Sequence, residues 1–142
     1  LIAVDTNVIV YAHRTELPQH VPALAALRGL AEGDQPWGIP VHAVGEFVRV
    51  VTHPRIFSPP SPTRVALAVI DVLLQSPSAE LLAPGPRHWT LLQSAIEDAA
   101  ATGNLVLAAQ IVATCRENGC SRILTNDRDF RRFSSVSVEP LI

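Results

Sequence analysis

The chain has 142 residues, of which 48% are hydrophobic and 17% charged, and its formal net charge is −2. That length suits one domain over residues 1–142, burying roughly 68–70% of its unfolded surface, so neither disulfides nor a structural metal is needed for folding. Polar residues break every apolar stretch well short of the ~18 residues of a spanning helix, which excludes a membrane segment. The near-neutral charge excludes nucleic-acid binding by bulk electrostatics, so any such contact must be local.

Leu1–Val4 reads as a short buried strand, closed by Asp5-Thr6-Asn7, three residues that favour a helix N-cap. Val8–Arg14 then forms a first helix, and Pro18–Glu32 a second, ended by Gly33. A strand near Trp37–Ile39 leads through Pro40 into a third helix, Val41–His53. Ser58-Pro59-Pro60-Ser61-Pro62 is the clearest loop. It is followed by a helix over Thr63–Gln75, a strand over Ala79–Ala83 and the Pro84-Gly85-Pro86 turn. Helices over Arg87–Ala101 and Asn104–Asn118 flank Thr102-Gly103, and strands follow at Arg122–Thr125 and Val136–Val138. Strands alternating with helices argue for an α/β fold with a mainly parallel sheet.

Cys115 and Cys120 are too few for a disulfide framework and lack metal-finger spacing. They read as two reduced, packed thiols in a cytoplasmic protein. The strand at Leu1–Val4 leaves no signal peptide ahead of the fold. All eleven basic residues are Arg, so a side-chain cation at a phosphate is a planar fork that does not titrate.

In an open parallel sheet, ligands bind beyond the carboxyl ends of the strands. Asp5 directly follows the first strand, and Asp127 and Asp129 follow Arg122–Thr125. If those strands are neighbours, the three carboxylates share one crevice; the plainer alternative is that each only caps the next helix or turn. On the third helix, Val41, Val44, Phe47, Val48 and Val51 define an apolar face, with His42, Glu46, Arg49 and His53 opposite. Three readings of that polar face stay open. It is a solvated surface with a Glu46–Arg49 pair, a His42–Glu46 metal pair of zinc-hydrolase type, or a face that turns Glu46 towards the Asp5/Asp127 crevice. Clustered carboxylates without Cys or well-spaced His suit a hard cation such as Mg²⁺ or Mn²⁺. Phosphodiester hydrolysis by metal-activated water commonly uses that arrangement.

Four segments, in order, carry a family resemblance: Ile2-Ala3-Val4-Asp5-Thr6-Asn7; Val44-Gly45-Glu46-Phe47 with Thr52-His53-Pro54-Arg55; Gly103-Asn104-Leu105-Val106; and Leu124-Thr125-Asn126-Asp127-Arg128-Asp129-Phe130. On these the chain resembles PIN-domain ribonucleases, specifically VapC toxins of toxin–antitoxin systems. The resemblance implies an α/β/α three-layer sandwich around a parallel sheet, and a Mg²⁺-dependent endoribonuclease cleaving RNA. It implies Asp5, Glu46 and Asp127 as metal-site acids, Asp129 as an extra ligand, and Thr6, Asn7 and Thr125 as hydrogen-bonding supports. It also implies a homodimer neutralised by a VapB-type antitoxin.

The sequence departs from the family at one place. Where the third motif ordinarily carries a further acid, the chain has Ala108, within Leu107-Ala108-Ala109. By periodicity Ala108 joins an apolar face with Val112 and Cys115, while Leu107 falls on the polar side with Gln110, Thr114 and Asn118. A weakened or inactivated nuclease, or an active one in which Asp129 or Asp98 supplies the missing charge, are the alternatives. A domain that binds antitoxin or RNA without cutting is the rival function. For RNA contact the first residues are Arg49, Arg55, Arg128, Arg131 and Arg132, with a solvated turn as the plainer alternative for Arg131-Arg132; Phe47 and Phe130 read as core.

Overall fold

The computed structural model describes residues 1–141. Its five strands are β1 (Ile2–Val4), β2 (Trp37–Pro40), β3 (Ala79–Leu82), β4 (Arg122–Leu124) and β5 (Ser137–Glu139). They form one sheet in the order β3-β2-β1-β4-β5, with every neighbouring pair parallel. The helices are α1 (Thr6–His13), α2 (His20–Glu32), α3 (Val41–Val51), α4 (Thr63–Leu74), α5 (His88–Ala99) and α6 (Leu105–Glu117).

Side-chain alternation along the strands divides the interior in two. Ile2 and Val4 of β1, with Trp37, Ile39 and Leu124, enter the core built by α1 to α4. Ala3, Leu82 and Ile123 face the opposite core, built by α5 and α6. Both faces are therefore covered, which is why the central strands read as apolar runs and not as alternating ones. This is the three-layer α/β/α sandwich that the family resemblance implies. Gly38 marks the closest approach within it: a Cβ there would lie 2.6 Å from the Leu82 side chain of the adjacent strand. Cys115 and Cys120 are both buried and free. Among the described residues, no helix is long and apolar enough to cross a membrane.

Several boundaries shift for identifiable reasons. The first helix starts at Thr6, not Val8, because Asp5 supplies the N-cap. The second starts at His20, which leaves Pro22 in its first turn, where a missing N–H costs nothing. The third stops at Val51, where the Thr52 hydroxyl donates to the Val48 carbonyl. The fifth stops at Ala99 because Ala100 takes a left-handed conformation, with φ of 49°. Its start is pinned by Glu117, whose carboxylate accepts from the Gly85 and Arg87 amides at 2.8 and 2.7 Å. The last strand lies one residue later than expected, and the 3-10 turn Arg128–Arg132 had no signal in the apolar pattern.

The sheet order reverses between β1 and β4: the chain builds outward from β1 through β2 to β3, then returns to add β4 and β5 on the other side. Segments leaving the carboxyl ends of β1 and β4 must diverge to opposite faces, and this opens a crevice between them. The Asp5 amide still donates to the Leu124 carbonyl at 3.1 Å, so the two exits begin as neighbours.

Candidate functional site

Asp5 sits at the mouth of that crevice and is only 5% exposed. One carboxylate oxygen accepts from the Thr6 amide at 2.8 Å, and the other accepts from the Thr125 hydroxyl at 2.7 Å. Thr125 is itself fully buried, and its oxygen accepts from the Asp127 amide at 2.9 Å. One hydroxyl thus joins the acid after β1 to the acid after β4. Asp127 in turn caps the 3-10 turn, accepting from the Asp129 amide at 2.9 Å.

The Asp5 carboxyl is pushed up to about 6 from its ordinary 3.8. Burial is the largest cause; the hydrogen bonds from Thr125 and Thr6 oppose it, and the charges of Asp127 and Glu46 add to it. Glu46 approaches from α3 and makes an ion pair with Arg49 at 3.8 Å, with both side chains substantially exposed. A pair that long and wet holds neither group firmly.

Asp5, Glu46, Asp127 and Asp129 all line one cleft of about 290 Å³, together with Thr6, Asn7, Arg49 and Asn104. The opposite wall is apolar and comes from α6: Leu105, Leu107, Ala108 and Ile111. Ala108 therefore faces the acids, and it brings no charge to them. Leu107, on the polar side by periodicity, is 55% exposed at this rim. The Thr6 hydroxyl is buried without a hydrogen-bond partner, so Thr6 supports Asp5 through its amide alone. Asn7 makes no side-chain hydrogen bond among the described residues. Ile111 is a wall residue that motif reading passed over, and Asn104, quoted within the third motif, was given no role in the site. The signal that would have found both is helical spacing: Asn104, the N-cap of α6, and Ile111 stand about one turn before and one turn after Ala108.

Other expected residues fall outside the cleft. Asp98 accepts from the Ser134 amide at 2.7 Å and from its hydroxyl at 3.0 Å, so it is committed to the turn before β5. Arg55 lies in the turn after α3 and lines no part of the cleft. Arg128 and Arg131 line an adjoining concavity, while Arg132 donates to the Ala99 carbonyl at 3.2 Å. Phe47 is core at 0% exposure; Phe130, 2% exposed, is core too, although it also contributes to the cleft lining.

The polar face of α3 needs correction. Its buried stripe is Ala43, Phe47 and Val51, with Val41, Val44 and Val48 only half-buried. That rotation carries His42 against α6, where Nε2 lies 3.2 Å from the Thr114 hydroxyl and the ring stacks on His88 at 6.2 Å. Burial and the neighbouring His88 hold its pKa below the ordinary imidazole value. His53 caps a turn, accepting from the Arg55 amide at 3.0 Å. His42 does not line the cleft with Glu46, and the zinc-pair alternative loses its geometry.

As they stand, no three His, Cys, Asp or Glu side chains among the described residues are drawn tightly enough together to hold a metal ion. The donor set nonetheless suits a hard cation. It consists of carboxylate oxygens with unused lone pairs, one of them in a buried group whose ionisation its acidic neighbours oppose.

Comparison with known proteins bears on what this cleft is. The PIN domain profile matches residues 2–136. Ribonuclease VapC43 of Mycobacterium tuberculosis is 39% identical over 133 residues, covering 94% of this chain and 90% of that one. Ribonuclease VapC25 of the same organism is 35% identical over 136 residues, covering 96% and 95%. Among solved structures, VapBC2 from Rickettsia felis, bound to a promoter DNA fragment, superposes with a TM-score of 0.68 at 17% identity, covering 98% of this chain and 97% of that one. The Mycobacterium tuberculosis toxin VapC20, which cleaves the sarcin–ricin loop, superposes with a TM-score of 0.64 at 20% identity, covering 96% and 98%. With a profile match across nearly its whole length and relatives well above 30% identity, the chain belongs to the PIN-domain family, among the VapC ribonucleases.

Proposed function

We propose that this chain, as a single PIN-like domain over residues 1–142, is a divalent-metal-dependent endoribonuclease and the toxin of a type II toxin–antitoxin system. The observation that carries the reading is the cleft itself. Asp5, Glu46 and Asp127 line it together at the point where the sheet order reverses, in a chain whose relatives are named ribonucleases. Asp5 and Asp127 would hold the ion, Mg²⁺ or Mn²⁺ as its substitute, with Glu46 and Asp129 as further oxygen donors. When bound, such a cation activates a water and neutralises charge on the phosphate.

The chain's own residues supply positioning. Thr125 fixes Asp5 and Asp127 relative to each other through one buried hydroxyl. Arg49, loosely held by Glu46, is free to meet a substrate phosphate at the rim. Leu105, Leu107, Ala108 and Ile111 offer no side-chain hydrogen-bonding group on the other side of the cleft.

The partner reading rests on structural neighbours solved as toxin–antitoxin assemblies, and on a groove distinct from the cleft. This groove, about 800 Å³, runs between α1, α2 and α4 and is lined by Leu24, Leu27, Val65, Val69 and Val72. Arg28 and Arg64 on its lining against a single Glu32 suit an acidic amphipathic segment of a VapB-type antitoxin. The buried free thiols accord with a cytoplasmic setting. A homodimer completes the proposal.

Purified chain incubated with RNA in Mg²⁺ or Mn²⁺, against an EDTA control, tests the activity. Metal-dependent endonucleolytic products are expected, and cleavage unaffected by EDTA would overturn the metal. The second reading, binding without cleavage, is favoured by Ala108 standing on the cleft wall where the family carries an acid. Antitoxin or RNA binding with no products in either metal would select it.

A further inference from the structure

The 3-10 turn Arg128–Arg132 has three residues per turn, so residues three apart stack along one edge. Each edge has a separate fate. Phe130 and Phe133 form the buried edge, with ring centroids 6.5 Å apart. Asp129 lines the acid cleft, and Arg132 on its edge is tied to the Ala99 carbonyl. Arg128 and Arg131 form the third edge and line a second concavity of about 270 Å³ with Thr125, Asn126, Asp127, Val138 and Pro140.

This concavity adjoins the cleft, because Asp127 lines both. Neither Arg128 nor Arg131 has a hydrogen-bond or acidic partner among the described residues. Arg14, Arg122 and Arg49, in contrast, are each paired with a glutamate. Asn126 is oriented by its own bond: its side-chain oxygen accepts from the Leu141 amide at 2.9 Å, which leaves the NH₂ group as a donor. The surrounding backbone is pinned by the Thr125 amide donating to the Glu139 carbonyl at 3.0 Å. Two unpaired guanidinium forks and an amide donor against one carboxylate make a cationic concavity suited to an anion, in a chain whose net charge is negative.

We propose that this concavity is a phosphate subsite: Arg128, Arg131 and Asn126 hold a backbone phosphate of single-stranded RNA whose neighbouring phosphodiester lies in the acid cleft. The inference rests on the ribonuclease reading for its ligand. It adds the direction in which the strand leaves the cleft, over Asp127 towards the carboxyl end of β5. It also separates Arg131, placed on the subsite, from Arg132, which is tied to the Ala99 carbonyl.

The test is fluorescence anisotropy of a labelled single-stranded oligoribonucleotide in EDTA, which blocks metal-dependent cutting and leaves the acid cleft repulsive to phosphate. Arg128→Gln/Arg131→Gln should weaken binding at least tenfold, as expected for losing charge-assisted hydrogen bonds. The plot of log affinity against log salt should become shallower by about 0.7 per arginine removed. Arg87→Gln, at the start of α5, is combined with Arg28→Gln on α2 as the control that removes the same two charges elsewhere, and both double variants should melt as the parent does because all four residues are exposed. Equal weakening by Arg28→Gln/Arg87→Gln, no weakening by Arg128→Gln/Arg131→Gln, or no RNA binding by the parent overturns the subsite. Inorganic phosphate that binds the parent as tightly as the oligonucleotide does would assign the seat to free phosphate and overturn the RNA assignment. A parent that binds RNA through these arginines but cuts nothing in Mg²⁺ or Mn²⁺ leaves the subsite standing while the ribonuclease reading fails. Unchanged binding in the Arg128→Gln/Arg131→Gln variant of a cleaving enzyme removes the subsite alone.

Discussion

The Thr125 hydroxyl donates to the Asp5 carboxylate at 2.7 Å, across two strand ends separated by 120 residues of sequence. Because the same oxygen accepts from the Asp127 amide, the geometry of the acid pair depends on one side chain. Thr125→Val keeps the shape and removes the hydroxyl. The variant should lose about 1.5–3 kcal/mol at pH 7.5, the usual worth of a hydrogen bond to a charged group. Cleavage should fall as well, because Asp5 loses a partner that favours its ionised form. Thr125→Ser, which restores the donor, should recover most of both. Urea unfolding and an RNA-cleavage assay on the three proteins check this, and a Val variant equal to the parent in both would contradict it.

The raised Asp5 pKa has a definite sign in stability. With about 6 in the folded chain against an ordinary 3.8, the folded state binds a proton more tightly than the unfolded one. Stability associated with Asp5 is therefore fully present below pH ~3.8 and is lost as pH rises through about 6. At pH 7.5 the buried charge costs on the order of 3 kcal/mol. Asp5→Asn keeps an N-cap and removes the charge. It should be more stable than the parent by about 2–3 kcal/mol at pH 7.5, with the gap closing towards pH 4. Paired urea titrations at the two pH values read the difference directly, and a variant less stable than the parent at pH 7.5 would refute the sign.

Much of this architecture was legible in the sequence because both sheet faces are buried. Continuous apolar runs bounded by Asp, Gly and Pro marked the strands, and proline and glycine bounded the helices. The candidate acids were legible for the same reason: Asp5 and Asp127 follow strands that the fold makes neighbours. The orientation of α3 was legible only in part: the wheel put Phe47 and Val51 inside, as they are, but centred the apolar face on the valines beside them. Packing chose Ala43, the smallest of the alternatives, as the inward residue and thereby turned His42 inward against α6. The Arg128–Arg132 turn was hidden because 3-10 spacing separates charges from core at every third residue, a period that helix and strand templates both miss.

The α1/α2/α4 groove offers a test of the partner that leaves the cleft untouched. Val72 lines it and is 65% exposed, so Val72→Glu costs the free chain little. If an antitoxin helix packs there, the new carboxylate is buried on association without a partner. Affinity for a VapB-type antitoxin should drop at least tenfold while the thermal midpoint of the free chain stays within about a degree. Calorimetric titration of both proteins reads it, and unchanged affinity would move the antitoxin to another surface.

The most direct question concerns Ala108. It lines the cleft opposite Asp5 and Asp127, so an aspartate there would place a further carboxylate towards the same space. Without metal, that added charge faces acids that already resist ionising together, and Ala108→Asp should melt below the parent. With Mn²⁺ the order should reverse, because the cation binds the folded state and stabilises it in proportion to its affinity. Each carboxylate adds attraction in a partly desolvated pocket, so Mn²⁺ affinity should rise on the order of tenfold or more. Cleavage should rise with it, since a more firmly held ion activates water better. Mn²⁺ titration followed by thermal midpoint, alongside an RNA-cleavage assay, gives both readouts from the same pair of proteins. If the parent already binds Mn²⁺ and cuts RNA as well as the Ala108→Asp form, Asp129 is the group that completes the site. It lines the cleft two residues from Asp127, whereas Asp98 is occupied with Ser134. Asp129→Asn should then abolish what Ala108→Asp failed to improve.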